Sequence, residues 1–109
     1  EYGVLLLIAV VPAPDFKSFV DADAYDTLKI KAKTIIDNTI TDLGEQSFEI
    51  RGIIEIGDAA SKIIDISNDL DVDLIVLGSK GKSELGNYLI GSVANKVVQY
   101  AHKPVMVVR

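Results

Sequence analysis

Asp73–Arg109 reads DLIVLGSKGKSELGNYLIGSVANKVVQYAHKPVMVVR. A short aliphatic run, Leu74–Leu77, leads straight into Gly78. Such a run bounded by Asp and Gly predicts a buried strand. The loop that follows begins GSKGKS, Gly78 to Ser83, and Gly91-Ser92 closes it. From Ser92 to about Ala101 the spacing predicts a helix with Val93, Val97, Val98 and Ala101 on its inner side. Pro104 then precedes a second aliphatic strand, Val105–Val108. Strand, glycine loop, helix, strand is a βαβ unit, and βαβ units build parallel sheets.

The rest of the chain repeats the alternation. Val4–Val11 (VLLLIAVV) and Phe48–Ile56 (FEIRGIIEI) predict two more strands. An unbroken apolar run of the first kind fits a parallel strand buried on both faces. Between them, Tyr25, Leu28, Ala32, Ile35, Ile36, Ile40 and Leu43 form a helical stripe over about Asp23 to Leu43. Gly44 supplies the stop. A further helix is predicted from about Asp58 to Leu70, with Asp58 as N-cap and Ala60, Ile63, Ile64, Ser67 and Leu70 facing inward. Pro12 to Asp21 reads as a loop. The predicted fold is α/β, a Rossmann-like doubly wound parallel sheet with helices on both faces. With 109 residues and no repeat or linker, a single domain is expected.

Composition narrows the function. Eleven Lys and Arg against 16 Asp and Glu give a net charge of −5, which argues against nucleic-acid phosphates as partners. It argues against a membrane surface as well. Val4–Val11 is too short to span a bilayer, and no basic segment precedes it as in a signal peptide. Cysteine is absent, so disulfides and thiolate metal sites are excluded, and a cytoplasmic location fits.

Ligands of such sheets bind beyond the carboxyl ends of the strands. The candidate site is therefore the loop after Leu77. Glycine lets the backbone N–H groups approach an anion. A helix start adds free N–H donors and partial positive charge. Ser79 and Ser92 add hydroxyls. A Walker A loop does not fit. Gly81-Lys82-Ser83 would be its end, and its first glycine would then fall at Val76. The GxGxxG dinucleotide fingerprint is absent too.

The pattern that fits is Gly78-x-x-Gly81, nine residues, then Gly91-Ser92. With DLIVLGS before it and KPVMVVR after it, the chain resembles the universal stress protein family, and within it the ATP-binding branch. The resemblance implies a five-stranded sheet of order 3-2-1-4-5. It implies that Gly78, Ser79, Gly81, Gly91, Ser92 and Val93 contact phosphates and ribose. Val10 and Val11 would sit near the adenine. ATP is the implied ligand, with Mg²⁺ bridging its phosphates if slow hydrolysis occurs. Family members also dimerise through the last strand, here Val105–Val108, an apolar edge open to pairing.

One departure stands out. Family members begin with a strand bearing an Asp near its carboxyl end, then a helix. This chain begins at what resembles the second strand. A β–α unit of roughly 30–40 residues is thus expected to be missing, making this chain a fragment of a longer protein. The missing strand is the central one, so the four strands are not expected to form one continuous sheet.

Plainer readings stand beside these. Gly78 and Gly81 suit an ordinary turn, and Lys80 and Lys82 suit solvent. His102, the single histidine, lies where a cation favours a helix end. Asp65, Asp69, Asp71 and Asp73 fit a helix surface and turn better than a metal site. Ser79, Ser83 and Ser92 lack a neighbouring general base. The leading expectation is a nucleotide-regulated homodimer acting in stress response, without a dedicated catalytic step. A nucleotide-free dimeric interaction module is the alternative, and an enzyme that adenylates or hydrolyses a substrate is a third reading.

Overall fold

The computed structural model describes residues 3–11, 22–79 and 91–108. Four strands and three helices alternate as β1 (Val4–Val11), α1 (Ala22–Leu43), β2 (Glu49–Ile56), α2 (Ala59–Asp69), β3 (Ile75–Gly78), α3 (Ser92–Tyr100) and β4 (Val105–Val108). Each lies within a residue or two of its predicted span. All pairing is parallel, and it falls into two ladders, β1 with β2 and β3 with β4. The chain divides into two units, Glu1–Asp58 and Ala59–Arg109.

In the first unit, β1 and β2 pair in register from Val4↔Glu49 to Val11↔Ile56. The ladder continues at both ends, where Glu49 N–H donates to Gly3 C=O at 3.1 Å and Gly57 N–H to Val11 C=O at 2.9 Å. The crossover helix α1 buries Ala32 and Ile36. It lies very close to β2: a Cβ added to Gly52 would stand 2.4 Å from Ile36 Cγ2. No side chain fits in that gap, so glycine at this strand position sets the helix-to-sheet distance. Gly44 ends α1 with φ 65°, and its N–H reaches Ile40 and Thr41 C=O at 3.3 and 3.1 Å. This is the predicted left-handed stop.

Two expectations for this unit change. Val4 and Leu5 are exposed and only Val11 of β1 is buried. The strand is therefore not buried on both faces, because within this unit only α1 packs against the ladder. Leu28 and Ile35 were expected on the inner stripe of α1, yet both are exposed. Positions 32 and 36 point at the sheet, and Leu28 and Ile35 lie on the flank of that narrow line.

In the second unit, β3 and β4 pair from Ile75↔Val105 to Gly78↔Val108. Ala60, Ile75 and Val97 form the core, with Val97 wholly buried. Ile63, Ile64, Val72, Leu77, Ala101 and Val105 pack around it. The buried line of α3 runs through Ala94 and Val97, while Val93 and Val98 are exposed. α3 packs against α2, and Val93 and Val98 lie on the flanks of its buried line. Leu70, also expected inside, is exposed. It lies where α2 ends in a Schellman turn, with Val72 N–H on Ser67 C=O at 3.1 Å and Asp71 N–H on Asn68 C=O at 3.2 Å. Asp71 takes φ 48° there, a conformation Asp tolerates better than most residues.

Candidate functional site

The carboxyl end of β3 and the amino end of α3 meet through one residue. Ser79 follows β3 directly and is 5% exposed. Its N–H donates to Val108 C=O at 2.8 Å, which extends the β3–β4 ladder by one rung. Its own C=O accepts from Gly91 N–H at 2.6 Å. Gly91 is the N-cap of α3 and is buried. The first turn of the helix is thereby held against the end of the strand.

The helix start has no side-chain cap among the described residues. Gly91 has no side chain to cap it, and the first intrahelical bond runs from Asn95 N–H to Gly91 C=O at 2.9 Å. The N–H groups of Ser92, Val93 and Ala94 therefore have no acceptor inside the helix. Three aligned donors at the positive end of a helix form an anion site in chemical character. The exposed Ser92 adds its hydroxyl to the same end.

The backbone of the two site glycines is informative. Gly91 has φ −60° and ψ 157°, angles that any L-residue adopts. Gly78 lies in a regular strand and is not among the glycines with positive φ, which are Gly44 and Gly57. A turn requirement accounts for Gly44 but for neither site glycine.

The other predicted residues lie partly at this helix start and partly away from it. Ser92 and Val93 open α3, as expected. Val10 and Val11 end β1 in the first unit, paired with Glu55 and Ile56, and the Val11 carbonyl already accepts from Gly57. Gly81, with Lys80, Lys82 and Ser83, lies outside the described residues. Val108 is a member of the arrangement that the sequence reading used only as a strand edge. Its part is played by a main-chain carbonyl, which leaves no mark in residue type.

Of the acidic cluster, Asp71 is engaged by Lys103, an ion pair between the turn after α2 and the approach to β4. The hydrogen bond from Lys103 lowers the Asp71 pKa below the usual carboxylate value. In the first unit, Arg51 Nε pairs with Glu49 at 2.9 Å and lowers its pKa in the same way. Among the described residues no group of three His, Cys, Asp or Glu converges as a metal site. No described helix is long and apolar enough to cross a membrane.

Parallel strands joined by helices, with an open helix start beyond a strand's carboxyl end, define an α/β protein of the Rossmann-like, doubly wound class. The model of the universal stress protein family matches residues 2–109. The chain belongs to that family. It is 37% identical over 79 residues to universal stress protein MJ0577 of Methanocaldococcus jannaschii, covering 72% of this chain and 49% of that protein. Universal stress protein YxiE of Bacillus subtilis is 31% identical over 103 residues, covering 94% of this chain and 68% of that protein. The solved structure of MJ0577 superposes with TM-score 0.81 at 30% identity, over 99% of this chain and 76% of that one. UspA from Lactobacillus plantarum shares the fold, with TM-score 0.86 at 24% identity over 97% of this chain and 77% of that one. The chain spans about half the length, or less, of the two archaeal relatives at 49% and 40% coverage, the second being from Methanothermobacter thermautotrophicus.

Proposed function

We propose that this universal stress protein binds an adenine nucleotide, ATP, with its phosphates on the open start of α3, and that it works as a nucleotide-regulated homodimer. The observation that carries the reading is the N-terminus of α3, without a side-chain cap among the described residues and held at the end of β3 by the Gly91–Ser79 hydrogen bond. The donors of Ser92, Val93 and Ala94 suit a polyanion. Ser79 and Gly81 belong to the same proposed contact set. Mg²⁺ would be carried by the phosphates rather than by a protein cluster, in keeping with the donor set. Binding, not turnover, is the function in this reading, set in the cytoplasm. Dimerisation uses the outer edge of Val105–Val108.

A second reading, an interaction module without nucleotide, draws on a different observation. Leu74, Val76, Met106 and Val108 are all exposed on one side of the β3–β4 ladder, an apolar surface suited to protein contact. Isothermal titration of MgATP into the protein and into Gly91→Val separates the two. Saturable binding that the substitution removes, with the helical signal and Tm retained, supports the nucleotide reading. No heat with the unmodified protein, in the presence of normal association, sinks it in favour of the module.

A further inference from the structure

The last strand reaches the proposed site through a main-chain carbonyl. Ser79 uses both of its peptide groups for this. In one direction its N–H is bound to Val108 C=O at 2.8 Å, and in the other its C=O holds Gly91 N–H at 2.6 Å. Both Ser79 and Gly91 are buried. Water is thus poorly placed to replace either partner, and a lost bond leaves an unsatisfied buried group. Gly91 has no side chain, and among the described residues α3 has no side-chain cap, so the bond to Ser79 orients the first turn. Ser79 in turn lies beyond the end of β3, where the rung to Val108 is its tie to the sheet.

From this relay we infer that Val108, the end of β4, is a positioning residue for the anion site. Its carbonyl fixes Ser79, Ser79 fixes Gly91, and Gly91 aims the N–H groups of Ser92, Val93 and Ala94. The inference rests on the nucleotide reading above and adds to it a role for the chain's last strand. Preorganised donors bind more tightly because the ligand need not order them. The Val108 side chain is exposed, so the contribution is that of the carbonyl and not of apolar packing. The relay also makes β4 an element of two surfaces, its outer edge and the site.

Three chains test the inference: the parent, one lacking Arg109, and one lacking Val108 and Arg109. The first deletion keeps an acceptor at Val108, and the second removes it. Titration of MgATP is expected to give parent-like affinity for the first and about tenfold weaker binding for the second, on the scale of one hydrogen bond. Adenosine, which has no phosphates, is the control ligand, and its binding is expected to be equal in all three. Val108→Thr keeps the carbonyl and is expected to bind like the parent. Equal ATP affinity with and without Val108 overturns the inference while leaving the nucleotide reading intact. A parallel loss of ATP and adenosine binding also overturns it, because general loosening of the fold would then explain the effect. Absence of ATP binding in the parent chain is a failure of the nucleotide reading itself.

Discussion

Three glycines of the first unit have a backbone or packing reason, and two of the second sit in angles open to any residue. Gly44 stops α1 at φ 65°, Gly57 takes φ 143° after β2, and Gly52 lies under Ile36 with no room for a Cβ. Each has a backbone or packing reason. Gly78 and Gly91, by contrast, sit in conformations open to any residue. The same residue type therefore answers two demands, and only the backbone angles tell them apart.

The units also differ in how they hold together. The second gathers Ala60, Ile75 and Val97 into a core between two short helices and a ladder. The first relies on one 22-residue helix pressed onto two strands. The largest expected effect follows from the first of these designs. Val97→Ala opens a void at a wholly buried position and should destabilise the protein by about 2–3 kcal/mol, measured by urea unfolding. A loss no larger than that of a surface change would show that the second unit lacks the core assigned to it.

Gly52→Ala probes the first unit. Its Cβ would press on Ile36 Cγ2 at 2.4 Å, an overpacking expected to cost about 1–3 kcal/mol. Pairing it with Ile36→Ala should recover part of that loss relative to the sum of the single changes. Strict additivity would mean that the contact is not what excludes a side chain at Gly52.

A smaller effect sharpens the glycine comparison directly. Gly44→Ala forces a side chain into the left-handed region and should lower stability by roughly 1 kcal/mol. Gly91→Ala meets no such backbone penalty at φ −60°. It should instead weaken ATP binding more than it shifts Tm. If Gly91→Ala costs as much stability as Gly44→Ala and leaves the ATP affinity unchanged, the distinction between the two sets of glycines fails.

The smallest expected effect concerns the Asp71–Lys103 pair. The folded-state pKa of Asp71 is lowered by Lys103, so its contribution is present above the ordinary carboxylate pKa. It is lost as pH falls through the lowered folded value. Asp71 is exposed, and its effect is accordingly slight and salt-sensitive. Lys103→Gln should lower Tm a little at neutral pH and low salt. That difference should shrink in acid; one that persists at pH 2 would assign the effect to packing of the lysine stem.

The order of elements was legible because it depends on local chemistry. The runs at Val4–Val11 and Val105–Val108, the stop at Gly44 and the spacing from Gly78 to Gly91 can all be read along the chain. The inner faces were less legible. Leu28, Ile35, Val93 and Val98 have the hydrophobicity of core residues and fall within about one helical step of the buried line. Which side of that line is covered depends on the neighbouring element, and single-chain periodicity does not contain it. The bond from Ser79 to Val108 was hidden for a related reason, since every residue has a carbonyl.

By itself, the sequence determined that this is an α/β chain with parallel strands, an acidic and cysteine-free composition, and a glycine-bounded loop ahead of a helix. Those properties follow from residue type, period and spacing, which need no third dimension. Only the tertiary structure decided that Gly52 is a packing glycine, that Ser79 ties Val108 to Gly91, and that Gly78 and Gly91 have ordinary angles. Such facts arise when segments far apart in the chain are brought within hydrogen-bond or van der Waals distance, and main-chain atoms carry no residue-specific signal of where they will meet.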